Sequence, residues 1–154
     1  MRLRFLAVLA ALGAAACARN IPNTEIQDTP DNRAIIAIVD SYRKAFDARN
    51  VDGVMALVSP NYYDDAGTID ASDDIDYRML PQVLKDTFSR INQVRLEFGI
   101  TDIIVNGDRA QADCFYDAKY RVLTPRSDIA KRDTDIQRIL FQRQGTEWKI
   151  ISGL

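Results

Sequence analysis

The chain has 154 residues with 20 basic and 22 acidic side chains, a near-balanced charge with no basic stripe of the kind that nucleic acid needs. It contains no histidine, which removes Ser-His-Asp and Cys-His catalysis and the usual histidine-ligated zinc and iron sites. Any chemistry must come from Asp, Glu, Tyr, Lys or Arg.

The first element is a short basic start, Met-Arg-Leu-Arg, followed by an uncharged run from Phe5 to Ala16. Twelve residues are far short of the roughly 20 that span a bilayer, so residues 1–16 read as a secretory signal with a small-residue cleavage site. Ala14-Ala15-Ala16-Cys17 resembles the lipobox of bacterial lipoproteins. The resemblance implies cleavage before Cys17, lipid attachment to that cysteine, and a periplasm-facing protein held in the cell envelope. Ala18 is not the inner-membrane retention aspartate, which points to the outer membrane. Cys17 then cannot pair with Cys114, the other cysteine, so no internal disulfide is expected. Residues 17–28 read as a mobile polar tether, and 29–154 as one domain.

Thr29-Pro30 supplies an N-cap and a proline at the first helical position. Ile35, Ile38, Val39, Tyr42, Ala45, Phe46 and Arg49 follow at helical spacing. Asn50 caps a short second helix through Val58, which Ser59-Pro60 stops. Asn61–Ala66 reads as a strand. An acidic loop then carries six aspartates between Asp64 and Asp76, without the spacing of an EF-hand, so no metal or other cofactor is expected. Ser72 or Asp73 is the expected cap of a third helix carrying Leu80, Leu84, Phe88 and Ile91, with Pro81 near its start.

The remainder reads as sheet. Val94 to Thr101 alternates, Asn106-Gly107-Asp108 makes a hairpin turn, and Ala110 to Val122 alternates over a long strand. Thr124–Asp133 is expected as a polar loop. Thr134–Arg143 and Glu147–Ser152 then form a final hairpin around Gln144-Gly145-Thr146. Helices followed by an antiparallel meander is an α+β order.

The stretch Ile38–Asp65, IVDSYRKAFDARNVDGVMALVSPNYYDD, resembles the NTF2-like superfamily in its SnoaL-like and ketosteroid-isomerase-like branch. The likeness rests on Tyr42 in helix one, the Ala45–Gly53 pattern, A-L-V-S-P closing helix two, and the terminal W-K-I-I strand. It implies a cone, with helices packed on a curved sheet around a pocket, often dimeric through the outer sheet face. In the isomerase branch a tyrosine on helix one, an acidic base after helix two and a protonated acid on a later strand do the work. Tyr42 matches the first. The base position falls on Ala66, with Asp65 one residue away, and Asp135 is the acid candidate on the fourth strand.

Strand parity puts Tyr62, Asp64 and Ala66 on one face and Tyr63 and Asp65 on the other, so only one of the two aspartates can enter the cone. Asp64 is the expected inward one. The expected pocket lining is Tyr42, Tyr62, Asp64, Cys114 and Tyr116, and the acid–base candidates are Tyr42, Asp64, Asp65 and Asp135. Three functions compete. The first is a module that binds a small apolar ligand or a protein partner without catalysis. The second is an isomerase- or dehydratase-like acid–base enzyme. The third is an assembly domain, a homodimer formed through an apolar outer sheet face for which Phe115, Ile139 and Phe141 are candidates.

Overall fold

A computed structural model describes residues 19–154. The expected signal sequence and the expected lipid attachment at Cys17 therefore lie outside the described residues. Residues 20–27 fold back as a small hairpin instead of running free: Asn20 bridges Gln27, and Ile26 is buried against the domain. Asn32 fastens this segment by donating its side-chain amide to the Gln27 carbonyl at 2.9 Å. The expected tether is thus ordered along this stretch, because a single isoleucine reaches the core.

Helix α1 spans Pro30–Asp47, with the Thr29 hydroxyl accepting the Asn32 N–H at 3.1 Å. Ile35, Val39 and Tyr42 form its buried stripe. Helix α2, Val51–Met55, is capped by Asn50, whose side chain accepts the Gly53 N–H at 3.0 Å. The strand expected over 61–66 shrinks to β1, Tyr63–Asp64, paired with β2, Ile75–Asp76. Its end has a local cause. Asp64 and Asp65 each turn a side-chain oxygen onto the backbone N–H two residues on, at Ala66 and Gly67, and the chain reverses with Ala66 at φ 51°.

Helix α3 runs Leu80–Arg90. Neither Ser72 nor Asp73 caps it. Asp76 instead accepts from the backbone N–H groups of Arg78 and Met79 and sets up the turn that enters the helix.

The sheet is a four-stranded antiparallel meander of β3 (Ile91–Asn106), β4 (Arg109–Leu123), β5 (Asp128–Gln144) and β6 (Glu147–Ser152). Gly107 and Gly145, at φ 60° and 63°, supply the left-handed conformations of the two tight turns. Register breaks at Ile91/Gln93, Ile100/Asp102 and Leu140/Phe141 bend the sheet.

Two expectations about β5 are corrected by its register. The connection after Thr124 is only a short turn, and the strand starts at Asp128 opposite Leu123. Ile139 and Phe141 pair with Ala112 and Ala110 and are completely buried on the inner face. They cannot supply an apolar outer surface, which leaves Phe115 and Ile136 exposed side by side on that face.

The core lies between α1 and the half of the sheet containing Ala112, Cys114, Ile139, Phe141 and Ile150, all fully buried. Because β6 pairs with β5 only from Leu140 onward, the first half of β5 has one neighbour and a free edge. The helices close over one half of the sheet and leave a hollow over the other.

Candidate functional site

The hollow is a cavity of about 500 Å³. Phe46, Ile91, Val94, Leu96, Ala118 and Val122 give it apolar walls, from α1, β3 and β4. Its volume falls within the usual range for small-molecule sites. The curvature of the sheet opens it, since the strand positions that would otherwise meet α1 face empty space.

Polar groups gather toward the β5 side. Tyr42 is 5% exposed, yet its hydroxyl has no hydrogen-bond partner among the described residues. No side-chain polar atom among these residues is both sealed and unpartnered, so the Tyr42 hydroxyl reaches cavity space. Burial pushes its pKa well above the ordinary tyrosine value, and the neighbouring Tyr116 adds to the effect. The Tyr116 hydroxyl donates to Asp133 at 3.2 Å. Burial first, and then the Asp133 charge, raise Tyr116 as well. Gln137 completes the group, with its amide nitrogen donating to the Gly153 carbonyl at 2.5 Å.

Of the residues expected to line the pocket, Tyr42 and Tyr116 do so. Tyr62, Asp64 and Cys114 are placed elsewhere. Asp64 binds the end of the chain: its Oδ2 accepts the Gly153 N–H at 2.5 Å and the hydroxyls of Tyr62 and Ser152 at 3.3 and 3.4 Å. Tyr62 also brackets Leu154, accepting its N–H at 3.2 Å, while its one hydroxyl proton lies between Asp64 and the Leu154 carbonyl at 3.4 Å. Cys114 is fully buried below the cavity floor, and burial pushes its thiol up to about 12.

Asp65 lies on the opposite face from Asp64, in a shallow outer groove with Tyr63 and Arg109. Asp135 pairs with Tyr116 across the ladder but stays exposed outside the lining. The carboxylate that does reach the cavity is Asp133. Sequence reasoning missed it because it fell inside a stretch read as loop. The parity it shares with Asp135 and Gln137 would have found it, had the strand been started at Asp128.

No family model matches the chain, and neither does any curated protein sequence. Solved structures do match in shape. One is a hexachlorocyclohexane dehydrochlorinase of type 2, with TM-score 0.67 and 9% identity, over 80% of this chain and 82% of that one. Another is a member of the NTF2-like family from Streptomyces avermitilis, provisionally assigned as a dehydratase, with TM-score 0.64 and 14% identity over 81% and 95% of the two chains. The fold is NTF2-like. A third structure, provisionally assigned as a scytalone dehydratase, comes from Novosphingobium aromaticivorans and matches with TM-score 0.65 and 14% identity over 80% of both chains. The NTF2-like cone accounts for the half-covered sheet and the cavity beneath it. At these identities the likeness is one of fold, and function has to be argued from the side chains.

Proposed function

We propose that this protein is a lipid-anchored, periplasm-facing module that binds a small, largely apolar ligand in its NTF2-like cavity without transforming it. The anchor rests on the sequence through Cys17. The binding role rests on one observation: a mainly apolar hollow into which the Tyr42 hydroxyl projects without a protein partner. A hydroxyl set in an apolar wall gives an oxygen or nitrogen on a ligand a point of attachment that fixes its orientation in the hollow.

Support for binding over acid–base catalysis comes from the placement of Asp64 and Asp65. The first is committed to Gly153 and the second lies on the other face, so neither converges with Tyr42 on a common point. Support for binding over pure assembly comes from the open cone and from the burial of Ile139 and Phe141.

The test is fluorescence titration with N-phenyl-1-naphthylamine, which brightens in apolar surroundings. The protein should show saturable uptake. Ala118→Trp, which fills the cavity from its wall, should lose it while keeping the far-ultraviolet circular dichroism of the fold. Equal uptake by the filled variant would place the probe elsewhere and refute the reading. Mass spectrometry of the N-terminus should find acyl chains on Cys17.

A further inference from the structure

We propose that the ligand is an amphipathic amine, with its apolar body in the cavity and its protonated nitrogen on Asp133 and the tyrosines beside it. This rests on the binding role proposed above and names the class of ligand.

The first argument is a count of donors and acceptors at the polar side of the cavity. Tyr116 has spent its proton on Asp133, leaving its oxygen lone pairs. Gln137 gives one amide N–H to Gly153, leaving its carbonyl oxygen and its second N–H. An ionised Asp133 can only accept. The uncommitted donors among these four groups are the Tyr42 hydroxyl, which can accept too, and the second N–H of Gln137. These four groups therefore offer more acceptors than donors, and their complement is a ligand that brings donors. An ammonium group brings three, with a charge to match.

The second argument is aromatic. Tyr42, Phe46, Tyr116 and Tyr120 all line the cavity, and ring faces attract cations, most strongly where water is excluded. Tyr42 and Phe46 stand 5.8 Å apart at 58°, so two differently tilted rings face the same space. The third is electrostatic. Asp135 follows Asp133 on the same strand face and sits across from Tyr116 outside the lining, so its charge adds to the negative potential at this end of the cavity. The cations lie further along. Lys131 pairs with Tyr120 and, with Arg95, Lys119, Arg121 and Arg132, lines an adjoining groove that meets the cavity at Val94 and Tyr120. Arg90 reaches the cavity at its other end, beside Ile91 and Val122. A carboxylate ligand seated on Arg90 is thus the rival outcome.

The experiment displaces N-phenyl-1-naphthylamine from the intact protein with three compounds of one shape. These are 1-naphthylmethylamine, protonated at neutral pH, 1-naphthylmethanol, and 1-naphthoate. The amine should compete roughly five- to tenfold better than the alcohol, the scale of a partly exposed charge contact plus a cation–ring contact. In Asp133→Asn/Asp135→Asn that ratio should fall to about one. In Asp128→Asn, which removes a charge from the same strand beside Arg121, the ratio should persist. The inference is overturned if the alcohol or the naphthoate equals the amine in the unaltered protein, or if the preference survives the double substitution. If the probe itself is never taken up, the binding role fails first and this inference with it. Uptake without amine preference sinks only the inference.

Discussion

Asp64 holds Gly153: the carboxylate accepts the Gly153 backbone N–H at 2.5 Å across 89 residues of sequence. The aspartate that strand parity assigns to the pocket face is therefore a structural latch, joining the turn after α2 to the end of β6. Replacing it with alanine strands the Gly153 N–H in a half-buried setting and takes one partner from the Tyr62 hydroxyl, which keeps Leu154. Asp64→Ala should cost roughly 1–3 kcal/mol in urea unfolding. A variant of unchanged stability that had lost only ligand binding would contradict this role.

The other half of the latch is steric. Gly153 has φ 92°, and a Cβ there would overlap the Arg138 carbonyl oxygen. Since the obstacle is backbone, it cannot swing aside. Gly153→Ala should destabilise by roughly 2 kcal/mol or more. Wild-type stability in this variant would show that the last turn is free to move.

Ala66 offers the opposite case. Its φ of 51° strains an L-residue that carries a Cβ, in an exposed turn already closed by the Asp64 side chain. Ala66→Gly should raise stability by up to about 1 kcal/mol, with the strain relief partly offset by the added freedom of the unfolded chain. Thermal unfolding measures the difference.

Asp31 links the start of α1 to the last hairpin. Arg143 donates to one of its oxygens at 2.9 Å and the Trp148 indole to the other at 3.1 Å. The Arg143 bond, then the Trp148 bond, hold the Asp31 carboxyl below the usual carboxylate range. A depressed folded pKa gives stability that is present above the unfolded value of 3.8 and disappears as pH falls through the folded value. The stability gap between wild type and Asp31→Asn should therefore be full at pH 7 and shrink steadily below about pH 4. A gap independent of pH would mean that the charge of Asp31 contributes nothing to the link.

Cys114 serves as a reporter on the core beneath the cavity floor. Its thiol is fully buried and pushed up to about 12, first by desolvation and then by the charge of Asp113. With Cys17 replaced by serine, a thiol reagent should react only as fast as the fold opens, and at once in denaturant. Rapid labelling of the native protein would show a breathing floor.

Much of this architecture can be read from residue types alone, and the exceptions share a cause. Thr29-Pro30, Asn50, and the alternation from Ala110 to Val122 act locally, and each lies where its pattern puts it. The first half of β5 gives no such signal. Lys131, Arg132, Asp133, Thr134 and Asp135 are polar on both faces, because one face looks on solvent and the other on a cavity mouth instead of a packed core. Missing that half-strand hid Asp133 and left the facing of Ile139 and Phe141 to be settled by pairing with β4. The role of Asp64 was unreadable for a different reason. Its partner lies at the far end of the chain, and only the closed fold brings the two together.

The bare rim of β5 has a consequence of its own. Unpaired backbone along a strand invites another sheet to zip onto it, and mixed charges along such a rim are a common defence. Here the defence and the recognition group are the same residues. Any drift that made the rim greasier to suit a different guest would also make the molecules stickier toward each other, so taste and solubility must change together.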